Sequence, residues 1–236
     1  MRAIIGLWAL LAAMALAGCD SVARDDRAPN YRYRLTVEVD TPEGLRTGSS
    51  VIEVEQNMGR SGASPAHGQI YYRVRGEAVA VDLPGEKTLF ALLRSENDVG
   101  WSARVMQMIS PNVDGEAWED VFDNVLLVEG EVEVPQTWPA NAVLPERSAY
   151  PMLVTFGNFD DPVSVEMVDP DDLAATFGKG YALERITVQL TEYPVTTGIE
   201  ERLRWIGKPF ERHLQTEDFP AGLPVGDLDG LFKKPS

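Results

Sequence analysis

The sequence predicts a mainly β, α+β fold: an antiparallel sandwich or strongly curled sheet with two or three short helices packed at its edges. Three observations carry that expectation. Residues 31–40 alternate apolar and polar without a break. Runs of five to ten residues with strand patterning recur along the chain between Gly, Pro and Asp turn signals. The clearest helix starts are followed by only one or two turns of apolar spacing. An apolar content of 44% over 236 residues supports a packed core and excludes a disordered chain.

Taken in order, Tyr31 to Asp40 places every odd residue on one face, the pattern of a half-buried strand. Thr41-Pro42-Glu43-Gly44 is a turn signal, and Ser50 to Gln56 alternates again. The two segments form a predicted hairpin that sets Arg32 and Arg34 near Glu53 and Glu55. Alternation puts Tyr31 and Tyr33 on the opposite face from the arginines, so a tyrosine-lined core under a salt-bridged surface is expected rather than a stacking surface for bases or sugars. Asn57 to Gly68, rich in Gly, Ser, Ala and Pro, reads as a loop. Further strands are expected at Gln69 to Arg75, Glu77 to Leu83, Leu126 to Val134, Pro151 to Phe156, Val163 to Val168 and Tyr181 to Tyr193. Thr88 to Arg94 fits helix or strand equally.

Helical spacing puts Trp118, Val121, Phe122 and Val125 on one face of a short helix over Gly115 to Asp123, with Asp114 as its cap. Asp169-Pro170-Asp171-Asp172 places a capping carboxylate before a proline at the first helical position, and Leu173 to Phe177 follows. Thr197-Gly198-Ile199-Glu200 is a capping box for a helix whose stripe is Ile199, Leu203 and Ile206, stopped by Gly207. Trp138, Pro139, Pro145 and Pro151 mark an extended connector that either crosses one body or divides two lobes; one globular domain over 31–210 is the reading adopted. Residues 211–236 form a Pro/Gly-rich tail with Phe219, Leu223, Leu228 and Leu231 irregularly spaced. It either lies over the body or waits for a partner.

The first eighteen residues are of another kind. Met1-Arg2 carries one positive charge, Ile4 to Ala17 is a run of fourteen apolar or small residues, and Leu16-Ala17-Gly18-Cys19 ends at the only cysteine. A membrane-spanning helix needs roughly 20 such residues, so the run is a signal segment rather than a span. The tetrapeptide resembles the lipobox of bacterial lipoprotein precursors. That resemblance implies removal of residues 1–18, acylation of Cys19, and an anchored N-terminus followed by a solvated tether to Asn30. An ordinary secretory signal, with Ala15-Leu16-Ala17 as its cleavage site, is the competing reading and leaves Cys19 a lone thiol. Two or three acyl chains hold stably where one holds only marginally. In enterobacterial lipoproteins, which the N-terminus resembles, an aspartate after the acylated cysteine keeps the protein in the inner membrane. Asp20 stands there and favours the inner over the outer membrane, with the body facing the periplasm.

A second resemblance covers about a quarter of the chain. Val168-Asp169-Pro170-Asp171-Asp172-Leu173, Phe177-Gly178 and Pro194-Val195-Thr196-Thr197-Gly198-Ile199 are similar to segments of uncharacterised alphaproteobacterial envelope proteins. No function comes with it.

Charge and motif content then narrow the chemistry. Residues 1–18 remove one of 21 basic and none of 37 acidic side chains, leaving a formal −17, which makes nucleic acid an unsuitable partner. There are two histidines, His67 and His213, no Gly-x-Ser-x-Gly and no His-Glu-x-x-His, so neither a serine hydrolase triad nor a zinc site is assigned. Gly59-Arg60-Ser61-Gly62 falls short of a nucleophile elbow. Asn158, Asp160 and Asp161 precede a strand and Asp169, Asp171 and Asp172 follow it, oxygen ligands of the type calcium takes. Six strand residues span roughly 20 Å, which sets the clusters apart; they remain calcium candidates and no metal is assigned. No motif calls for a cofactor and no catalytic residue is named. The expected function is a non-catalytic binding or assembly module, anchored to the membrane by lipid and serving an envelope protein partner. The alternative is an envelope hydrolase using a carboxylate pair, which 37 acids leave unspecified by spacing.

Labelled palmitate is expected to enter the wild-type protein and not Cys19→Ser; label persisting in that variant overturns the lipobox reading. Density-gradient separation is expected to place wild type in the inner membrane and Asp20→Ser in the outer. Wild type found in the outer fraction would show that Asp20 carries no address.

Overall fold

The computed structural model describes residues 28–60, 68–140, 145–209 and 214–234. Cys19 and Asp20, His67 and His213, and Ser61 and Gly62 lie outside the described residues. No helix among the described residues is long and apolar enough to cross a membrane.

Strands β1 (Tyr31–Asp40) and β2 (Arg46–Arg60) form the predicted hairpin, closed where Gly44 N donates to the Thr41 carbonyl at 2.9 Å. Tyr31, Tyr33, Leu35, Val37 and Val39 are all buried. The register sets Arg32 opposite Glu53, 2.7 Å apart, as expected. Arg34 instead falls opposite Val51 and lies over the Tyr193 ring at 4.8 Å. Glu55 lies past the start of β1 in this register and pairs with Arg73 and Arg75. Those arginines belong to β3 (Gly68–Glu77), antiparallel to β2. Strand pairing therefore claims both ends of the segment read as a loop, up to Arg60 and from Gly68.

At Gly76 the chain turns a corner with φ 143°, and a Cβ there would stand 3.1 Å from Ile52 Cα. Past it, β4 (Val79–Leu83) enters a second sheet and pairs with β5 (Lys87–Ala91), so the ambiguous stretch is a strand. Helix α1 (Trp101–Ile109) was not anticipated from the sequence. A 3-10 helix, Val121–Leu127, stands where an α-helix over 115–123 and the start of a strand were expected. Its period of three turns Phe122, Val125 and Val128 inward and leaves Trp118 and Val121 exposed.

Three short strands follow, β6 (Glu131–Glu133), β7 (Thr137–Trp138) and β8 (Arg147–Ser148), with β7 paired to β8. Trp138 and Ala149, at the two ends of the connector, are buried in the main core. Then come β9 (Leu153–Phe156), β10 (Val165–Val168), the one-turn helix α2 (Leu173–Phe177) and β11 (Ala182–Leu190). The chain ends in helix α3 (Leu228–Phe232) and β12 (Lys233–Lys234). The first sheet runs β12-β3-β2-β1-β11-β6 and the second β10-β9-β5-β4, every pairing antiparallel. The fold is mostly β, as predicted.

The two sheets face each other across a core of Tyr33, Leu35, Val37, Ile52, Ile186 and Val188 against Val79, Val81, Leu89, Ala91 and Leu153. The other face of the second sheet carries Phe90, Leu92, Val154, Phe156 and Val165, and it is buried too. Its cover is Ile199, Leu203, Trp205 and Ile206, followed by Phe219, Leu223, Leu228, Leu231 and Phe232 of the tail. The tail thus lies over the body. Phe232 meets Phe90 edge-on at 6.0 Å and Trp205 at 5.5 Å.

Helix caps depart from expectation in a consistent way. Asp172, not Asp169, caps α2 by accepting from Ala175 N at 3.1 Å; Asp169 closes the preceding turn on Asp171 N. Gly198 takes φ 114° and starts a 3-10 turn, Ile199–Glu201, with no capping box. The Ile199 amide donates instead to Glu77 Oε2 at 2.8 Å, 122 residues away in sequence.

Glu77 is 2% exposed and sits at the sheet-switching corner. Lys233 Nζ lies 3.1 Å from its Oε1 and 2.8 Å from Glu200 Oε2, so one ammonium ties β12 to both segments. The hydrogen bond from Lys233 lowers the Glu200 pKa and raises that of Lys233. The Glu200 contribution is complete above the ordinary glutamate range and is lost as pH falls through its depressed value.

Removing Glu77 leaves the buried Ile199 amide without its acceptor, while Lys233 keeps Glu200. Glu77→Ala is expected to cost about 1–3 kcal/mol in urea unfolding and to speed amide exchange at both Ile199 and Ala78. A loss confined to one of the two amides would refute a shared clamp.

Candidate functional site

Hydrogen-bond direction alternates along an antiparallel strand, and that alternation exposes one edge of the first sheet. Gln56 N donates to Asn30 Oδ1 on the β1 side, so Tyr72, its register partner, turns its amide and carbonyl away from β2. Ile70 and Val74 share that orientation. On the same side, Ala78 N donates to the Phe232 carbonyl at 2.7 Å and β12 pairs at Glu77 and Gly76. Beyond Gly76 no described strand continues along β3, so among the described residues the outward backbone groups of Val74, Tyr72 and Ile70 form an open edge.

A groove of about 350 Å³ runs beside this edge. Ile70, Tyr72 and Val74 form one wall, Val99 to Arg104 the other, and Lys234 lies at its end. The second wall is the start of α1, which is fixed from beneath. Tyr33 donates its hydroxyl to the Ser102 carbonyl at 2.7 Å and Tyr31 to that of Ala103 at 3.3 Å. Burial pushes both phenol pKa values up, so they stay protonated donors. Asp98 accepts from Gly100 N at 2.8 Å and holds the Arg104 guanidinium, Nε 3.0 Å away. Tyr72 is half-buried, its pKa raised by burial against the opposing pull of Arg104.

Two cations line the groove in a chain of net −16: Arg104, held by Asp98, and Lys234, 3.6 Å from Asp227. Arg73 and Arg75 stand on the outer face of β3, where Glu53 and Glu55 pair with them. Exposed Tyr71 also borders the groove and donates its hydroxyl to Gln69 Oε1 at 2.6 Å.

No protein-family model matches this chain, and neither a curated protein nor a solved structure matches it.

All the calcium candidates but Asp160 have side chains that accept hydrogen bonds from the protein. Asn158 Oδ1 accepts from Asp160 N, and Asp161 Oδ1 from Val163 N, both at 3.0 Å. Asp169 and Asp172 close a turn and a helix cap, and Asp171 accepts from Gln136. β10 separates the two clusters, and among the described residues no three His, Cys, Asp or Glu side chains converge to hold a metal ion. A second cavity of about 350 Å³ contains Asp227 and Asp229. Asp227 is 75% exposed beside Lys234, and Asp229 accepts from Gly207 N at 2.7 Å. Glu38, Asp82 and Glu200 have lowered pKa values, each through a hydrogen bond from Arg185, Arg202 or Lys233.

The groove went unread in the sequence because its second wall, α1, went unread. Its signal was present: Trp101, Val105, Met106 and Ile109 recur at helical spacing after Asp98.

Proposed function

We propose that this chain is a lipid-anchored, non-catalytic binding module of the cell envelope that captures an extended segment of a partner protein by adding it to β3 as a new strand. The observation that carries this reading is the open edge at Ile70, Tyr72 and Val74 beside a rigid groove. An added strand would satisfy outward N–H and C=O groups, each bond worth about 0.5–1.5 kcal/mol net. Its alternate side chains would enter the groove against Tyr72 and Val74. Arg104 and Lys234, the two cations that line the groove, favour a segment carrying acidic residues next to apolar ones. The tether read in Asp20 to Asn30 gives the body reach above the membrane that Cys19 is proposed to hold. A hydrolase built on a carboxylate pair draws no support from Asp227 and Asp229, which already serve Lys234 and Gly207.

Selection from a library of eight-residue peptides is expected to enrich apolar residues at alternate positions with acidic neighbours. Bound peptide should slow amide exchange at Ile70, Tyr72 and Val74. Ile70→Pro, which removes an outward N–H and no bond to β2, should weaken binding at least tenfold. Selected peptides that leave those three amides exchanging as in the free protein would overturn the proposal.

A further inference from the structure

At the far end of α1 the surface changes character. Residues 105–146 hold nine acidic side chains and no lysine, arginine or histidine. Within the same stretch lie six of the ten large apolar side chains exposed among the described residues, from Met108 to Leu127. The 3-10 helix explains the position of three of them, Val121, Leu126 and Leu127. With three residues per turn, Phe122 and Val125 point inward, and Leu126 and Leu127 are left 54% exposed each. Trp118, 43% exposed, is held edge-on against Phe122 at 5.2 Å.

This face is built rather than loose. Gln107 Nε2 donates to the Phe122 carbonyl at 2.9 Å, and Asn124 Nδ2 to Glu116 Oε2 at 2.6 Å. Covering these half-exposed leucines takes their remaining apolar surface out of water, and several such side chains close together mark an interaction site. Asp120 and Asp123 interleave with the apolar residues, and the one cation shown at this face among the described residues is Arg147, against Met108 at its margin. What covers it must supply both apolar side chains and positive charge. An anionic lipid surface offers the wrong sign.

We propose that the face formed by residues 108–127 docks a cationic amphipathic helix of a partner protein, its apolar stripe on Trp118, Leu126 and Leu127 and its lysines or arginines against Asp120 and Asp123. The proposal does not depend on strand addition at β3, which lies at the opposite end of α1.

The test uses the mature protein in nanodiscs of zwitterionic lipid and an 18-residue Leu/Lys amphipathic helix carrying a photo-crosslinker, with empty nanodiscs as the blank. Cross-links should map to residues 113–127. Leu126→Ser/Leu127→Ser and, separately, Asp120→Lys/Asp123→Lys should each weaken binding at least tenfold with unchanged thermal midpoints, while Ile70→Pro leaves it unaltered. If one pair fails to fold, the other still decides. Cross-links elsewhere, unchanged affinity in a folded variant, or equal binding of a scrambled peptide would overturn the proposal. Bromolipid quenching of Trp118 in anionic nanodiscs without peptide would replace it with a membrane-contact reading.

Discussion

The second sheet is apolar on both sides, and the rest of the molecule is arranged to meet that constraint. Leu89, Ala91 and Leu153 need one partner layer, while Phe90, Leu92, Val154 and Phe156 need another. The six-stranded sheet supplies the first. The second comes from the 3-10 turn at Ile199 and from the tail, whose Pro and Gly content forbids long regular elements but not burial. Because Phe232 must reach Phe90, the chain after it is delivered to the corner at Glu77, where β12 pairs with the last two residues of β3. The open edge begins where that short strand stops. Core packing on one side of the molecule thereby sets where a site can exist on the other.

Much of this was legible in the residues, wherever local periodicity decides the outcome. Period-two alternation in 31–40 fixed the buried face of β1, and Ile199, Leu203 and Ile206 were correctly read as buried even though they lie on turns rather than a helix. Failures cluster where a distant residue supplies what a neighbour was expected to supply. Thr197 looks like a cap until Glu77 arrives from another sheet. Arg34 looks like a partner for glutamate until the register, fixed by the turn after Asp40, sets it opposite Val51. Phe122 and Val125 fit either a 3.6 or a 3.0 period over so short a stretch, and only tertiary packing chooses between them.

The groove was illegible for a related reason. A strand edge is defined by which strand does not come next to it, and the sequence of β3 reads the same whether or not a neighbour covers it. Tyr71, Tyr72, Arg73 and Arg75 signalled a strand, and nothing local distinguished an interior strand from an edge one. Edge strands ordinarily carry charge or are shortened to avoid promiscuous pairing. β3 has arginines on its outer face and a groove on its inner one, so it is guarded against flat stacking yet accessible to a single inserted segment.

Rigidity makes such an edge useful. The carbonyls of Ser102 and Ala103 accept from two buried tyrosine hydroxyls that cannot ionise at physiological pH, and Asp98 locks the turn before them. A wall held this way has little conformational entropy left to lose when a ligand arrives. The ordering cost then falls almost wholly on the incoming segment, and the side chains that fit between Tyr72 and the start of α1 become the determinant of which segments can meet it.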